Sequence, residues 1–235
     1  MVISMSLRII LVQAFTAIYG LMFTFLAVRA LEPALFGELR YVLVLLPILM
    51  LSTLPSYDVL VLRESSIGAQ ININRIFKNR VYAALVGVVI ISAALNFNII
   101  DFGERTTIAL VLCALLLPFY ETTTGFKNYL IGRGLKDEVL KILIRNRLYS
   151  LLLLIMGAFF LFLIGPTVYG FLVLFMVCQT LPNLFTHLFF SKRSKLKPSA
   201  RVSNSISFKE ALITSLAMGV GILSYSIDKL LVQRE

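Results

Sequence analysis

Residues 118–150 read PFYETTTGFKNYLIGRGLKDEVLKILIRNRLYS. The segment opens inside an apolar run that begins at Ile108, yet it carries Glu121 and Lys127 where a bilayer offers hydrocarbon. A charge near the centre of a span costs roughly 2.5–3.5 kcal/mol on insertion scales, so such groups face a bundle interior or a wet cavity. Its second half gathers five cations, Arg133, Lys136, Lys141, Arg145 and Arg147, into what reads as a short connector at 132–147. A cationic connector between two apolar runs marks the cytoplasmic side. One stretch therefore predicts both a membrane bundle and its orientation.

Composition agrees. The chain is 59% apolar and 14% charged, with a mean hydropathy of +0.91, against about 45–50% and about 25% in soluble domains. A formal charge of +10 would suit nucleic acid if the cations lined one soluble face, but they alternate with long apolar runs, so no nucleic-acid partner is expected. Cys113 and Cys178 fall inside apolar runs and read as small buried hydrophobes, implying neither a disulfide nor a metal or other cofactor. The N-terminal apolar run, Ile9 to Val28, has the roughly 20 residues that cross a bilayer and reads as a span, not as a cleaved signal.

Seven spans are predicted, at 9–28, 41–62, 81–98, 107–131, 148–164, 168–190 and 206–228. All should be helices, because the runs lack the two-residue alternation of barrel strands. The expected fold class is all-α, a polytopic helical membrane bundle. Pro47, Pro55, Pro118 and Pro182 lie within these spans, and each frees a carbonyl that a neighbour must satisfy. Seventeen Lys and Arg fall on the side of the N-terminus and the even-numbered connections, and five on the other. The N-terminus is therefore expected in the cytoplasm, with Glu235 outside.

The polar stretch 191–205 is basic and Ser-rich, and reads as a cytoplasmic linker between a bundle at 1–190 and a further helix in 206–235. Its cations could also meet anionic membrane lipids. Beyond it, Ser205, Ser207, Leu212 and Gly221 repeat Ser4, Ser6, Leu11 and Gly20, as the start of a second parallel half would. Ser215, Ala217, Gly219 and Gly221 offer that helix a close-packing face.

Four features carry a resemblance. Arg29-Ala30-Leu31-Glu32-Pro33 and Phe36-Gly37 follow the first span, Arg63-Glu64 closes the second, the fourth runs into Lys127 to Gly134, and the seventh ends Ile227-Asp228-Lys229-Leu230. In their order and placement they resemble the polysaccharide transporter and O-antigen flippase family of the multidrug/oligosaccharidyl-lipid/polysaccharide exporter superfamily. Leu39 departs from it, since such proteins often have an aromatic after the FG pair. The resemblance implies about twelve helices in two six-helix lobes of a bacterial inner-membrane protein. By alternating access these pass an oligosaccharide linked to a lipid of the undecaprenyl diphosphate type outward, with a proton or sodium ion as coupling ion and other envelope polysaccharide assembly proteins as partners. The chain would then hold one lobe and the first helix of the second, and a truncated or two-polypeptide transporter is expected.

The candidate substrate-binding residues are Lys127, Arg145, Arg147, Gln13 and Asn128, because cations in a low-dielectric cavity act strongly on a diphosphate. Lys127 has a second reading, snorkelling to the inner interface. Glu121, Asp58 and Asp228 are the candidate ion-coupling carboxylates; for Asp58 a structural ion pair near Arg63 competes with that role. Tyr19, Tyr57, Tyr120 and Tyr129 are candidates for stacking on sugar rings. A membrane acyl- or glycosyl-transferase would need clustered acids or a His-Asp arrangement. The single histidine, His187, reads as interfacial, and Asp137-Glu138 as a solvated pair, so no enzyme is expected. A multidrug exporter of the same superfamily is the other alternative, and it predicts an apolar cavity without central cations.

Overall fold

The chain is an all-α bundle. The computed structural model describes residues 5–69, 71–96, 104–120, 122–193 and 206–219, and no strand occurs among them. The helices are α1 (Met5–Ala30), α2 (Pro33–Met50), α3 (Ser56–Ser66), α4 (Ile73–Asn96), α5 (Glu104–Tyr120), α6 (Thr122–Gly132), α7 (Lys136–Ile164) and α8 (Val168–Arg193). A further helix, α9, covers 208–219. Among the described residues, five stretches are long and apolar enough to cross a membrane: Met5–Ala30, Pro33–Thr53, Ile108–Gly132, Lys136–Ile164 and Val168–Phe189. The third expected span is the later part of α4, described to Asn96, and the seventh is described only to residue 219.

Two spans differ from the sequence reading. The second starts at Pro33 and not at Tyr41, since proline at the first helical position gives up an N–H that has no partner there anyway. It also ends early. A 3-10 turn, Leu51–Thr53, leads to Leu54 with a left-handed φ of 54°, and Pro55 then precedes α3, so 41–62 is two helices. The supposed connector 132–147 is largely helix as well. α7 has 29 residues, about 44 Å of helix, while the hydrocarbon is only ~30 Å thick. Its charged first turns stand clear of the apolar layer, which is why composition alone misread them.

α1 lies along α7, α7 pairs with α8, and α8 reaches α5, which packs on α4 and α2. Tyr19, Phe23 and Ala27 recur every fourth residue and form the buried stripe of α1. From that stripe Phe23 meets Phe175 at 5.2 Å and Phe171 at 6.1 Å between ring centroids. α3 has a separate small core, in which Tyr57 and Val61 meet Ile76 of α4 and Ala211 of α9. Ser56 and Ser215 join the same contact at 2.7 Å between their hydroxyls. α3 and α6 touch at backbone distance, because a Cβ on Gly132 would overlap Ser65 Oγ and the Leu62 carbonyl. Outward positions such as Leu21, Met156, Phe159 and Leu163 are large, apolar and exposed, as a lipid-facing surface requires.

The two ends of the bundle are chemically different. Arg8 pairs with Asp137 at 3.3 Å, Arg133 Nη2 donates to the Ala69 carbonyl at 3.4 Å, and Arg63 pairs with Glu210 at 3.1 Å. These contacts bring the N-terminus, the turn before α4, the turn before α7 and the start of α9 to one cation-rich end. At the other end, Leu35, Glu38, Pro166 and Thr167 border a small cavity of about 280 Å³.

Candidate functional site

A polar seam runs between α7 and α8, and its origin is local. Pro182 has no N–H, so the Cys178 carbonyl one turn earlier loses its helical donor. Ser150 Oγ of α7 donates to that carbonyl at 2.7 Å. One turn before Ser150, Asn146 shares the buried stripe of α7 with Val139, Leu154 and Ala158. Its Nδ2 donates to Asn183 Oδ1 at 3.3 Å, and Asn183 Nδ2 donates to the Tyr120 carbonyl at 2.6 Å. The Thr186 hydroxyl has two acceptors at 2.9 Å, Asn146 Oδ1 and the Pro182 carbonyl.

Both arginines of α7 join this seam through neutral partners. Arg145 Nη2 donates to Thr186 Oγ1 at 3.2 Å, and Arg147 Nη1 donates to Gln179 Oε1 at 2.7 Å. Neutral partners orient a guanidinium without cancelling its charge, so the seam keeps a net positive field. The buried Tyr19 side chain lies beside Gln179, Cys178, Tyr120 and Arg147 and closes the seam toward α1.

A second cluster joins α3, α4 and α6. Arg80 Nη2 lies 2.6 Å from Asp58 Oδ1, with the two side chains 3% and 19% exposed. Lys127 and Asn128 of α6 stand beside the same carboxylate. Asn79 Nδ2 donates to the Tyr57 hydroxyl at 2.9 Å. Three of the sequence candidates, Asp58, Lys127 and Asn128, thus come together, whereas Arg145 and Arg147 belong to the α7–α8 seam. Asp58 does form an ion pair, but its partner is Arg80; Arg63 turns to Glu64 and Glu210 instead. Gln13 is exposed on α1. Glu121 and Asp228 lie outside the described residues.

His187 is buried, its ring 4.7 Å from Phe77 and 5.3 Å from Phe126 between centroids. Tyr19 and Tyr57 are 3% and 0% exposed, so neither presents a face to a sugar ring. Arg133 lies over the Tyr129 ring at 5.6 Å. Sequence reasoning overlooked Arg80, Asn146, Asn183 and Thr186; of these, the two on α8 left a signal, since Gln179, Asn183 and Thr186 recur at helical spacing within an apolar run and mark one polar face.

Chemically, the arrangement suits holding an amphiphile with an anionic head, since uncancelled cations sit at the charged end of apolar helices. Comparison with protein-family models, with curated proteins and with solved structures finds no match.

Proposed function

We propose that this chain is a transporter lobe of the polysaccharide and O-antigen flippase type, carrying a polyprenyl-diphosphate-linked oligosaccharide from the cytoplasmic to the outer leaflet of a bacterial inner membrane by alternating access. The observation that supports this reading is the α7–α8 seam, where Arg145 and Arg147 are held by Thr186 and Gln179 and keep their charge. In a medium of low dielectric two such groups attract a diphosphate strongly. Lys127 stands in the separate cluster, beside the Asp58–Arg80 pair, and is not one of the seam's cations. The excess of Lys and Arg at one end supports a cytoplasmic position for it, which is where a lipid-linked sugar would be loaded. Asp58, already committed to Arg80, is a structural carboxylate on this reading, and Glu121 and Asp228 remain the coupling candidates. An exporter of apolar drugs would have no use for arginines kept charged in this way.

Binding of a short-chain polyprenyl diphosphate disaccharide to the purified full chain tests the proposal, with the matching uncharged polyprenyl glycoside as reference. The diphosphate should bind at least tenfold more tightly, and Arg147→Gln should remove most of that preference. Equal affinity for both compounds would contradict the proposal.

A further inference from the structure

Where the seam reaches the surface, α7 and α8 border an open groove of about 730 Å³. One end is polar, bordered by Arg145, Asn146 and Thr186; the rest is apolar, with Leu152, Met156 and Phe185 among its walls. We infer that this groove is a binding site for one anionic phospholipid of the cytoplasmic leaflet, its phosphate on Arg145 and one acyl chain along α7.

Three observations carry this choice of occupant. The first is depth. Counting back from Ile164 the roughly 20 residues that cross ~30 Å of hydrocarbon reaches Arg145, which therefore stands at the level of the phosphates. The second is length. From Arg145 to Met156 the groove follows α7 for about 16 Å, half the hydrocarbon thickness and so the reach of one acyl chain in one leaflet.

The third is charge. Arg145 spends Nη2 on Thr186 at 3.2 Å, while its Nε is buried and has no hydrogen-bond partner. Arg147 is turned away to Gln179, so Arg145 is the cation this groove presents. Nε is closed to the groove, but the side chain as a whole is only partly buried, so a lipid phosphate at the groove's polar end would meet the guanidinium charge from its accessible side. The groove walls also belong outside: Leu152, Met156 and Phe185 are 56%, 69% and 69% exposed, so a lipid can enter sideways from the bilayer. The site shares Arg145 with the transport reading, where a resident phospholipid would leave Arg147 on Gln179 to the transported diphosphate; it does not require that reading, because such a lipid would hold the α7–α8 hairpin whatever the bundle moves.

The chain contains no tryptophan, so Leu152→Trp in the full chain gives a single fluorophore inside the groove. Reconstitution into phosphatidylcholine vesicles with brominated phosphatidylglycerol, or with brominated phosphatidylcholine, measures which head group occupies it. Phosphatidylglycerol should quench at about a fivefold lower mole fraction, the preference expected from one cation at the membrane surface. Val86→Trp, exposed on α4, should show no such preference, and Arg145→Gln should abolish it at Leu152→Trp. Equal quenching by both lipids at Leu152→Trp overturns the proposal, as does a preference that survives Arg145→Gln. If Arg145→Gln does not fold, the contrast between the Leu152 and Val86 reporters decides alone. Displacement of brominated phosphatidylglycerol by polyprenyl phosphate at an equal mole fraction also overturns it, and would assign the groove to the chain of a transported lipid.

Discussion

Arg80 is 2% exposed and reaches the Asp58 carboxylate of another helix at 2.6 Å. Removing one partner of a buried pair leaves the other charge uncompensated, at a cost of about 3–5 kcal/mol. Asp58→Ala should therefore lower the thermal unfolding midpoint of the detergent-solubilised protein sharply. Arg63→Ala should lower it much less, since that side chain is 57% exposed and its partner Glu210 is 38% exposed. Comparable midpoints for the two variants would remove Asp58–Arg80 from the framework. The sequence marked Asp58 as a charge in need of a partner but could not name Arg80, because the pairing spans 22 positions and depends on how α3 and α4 fold back on one another. Arg145 and Arg147 were visible as cations beside an apolar run. The polar face of α8 that carries Thr186 and Gln179 was visible too, but not which side chain of α7 each would meet, since hydrogen bonds between helices leave no period in the sequence.

For whole helices, close approach is controlled by glycine. At Gly132 an added methyl would meet Ser65 Oγ and the Leu62 carbonyl, so Gly132→Ala must push α6 away from α3. A cost of about 1–3 kcal/mol is expected, as for other overpacked contacts, and it should appear as a lower unfolding midpoint. Gly20→Ala on α1, where nothing lies within 4 Å, should be neutral or slightly stabilising, because alanine is the better helix former. Equal destabilisation by both substitutions would contradict the α3–α6 contact. Helix ends were legible where an apolar run coincides with the helix: the first and sixth spans, 9–28 and 168–190, lie within Met5–Ala30 and Val168–Arg193. They were illegible where helix and hydrocarbon part company. Glu38 and Arg40 hid the start of α2 although Pro33 marks it, and the charges of Lys136 to Arg147 concealed three turns of α7.

Across the whole molecule, the cations are unevenly placed. The seventeen-to-five asymmetry was readable from composition, and the contacts Arg8–Asp137, Arg133–Ala69 and Arg63–Glu210 gather segments far apart in sequence at that one end. The proposed loading of an anionic lipid from one leaflet depends on which side that cation-rich end faces. The most direct measurement is the reaction of single introduced cysteines with a membrane-impermeant maleimide on intact cells. Leu135→Cys lies in the turn before α7 and Glu32→Cys between α1 and α2; both positions are exposed, and the native Cys113 and Cys178 are buried. The account predicts labelling of Glu32→Cys from outside and labelling of Leu135→Cys only after the cells are permeabilised. Labelling of Leu135→Cys on intact cells would place the cationic end outside and contradict it.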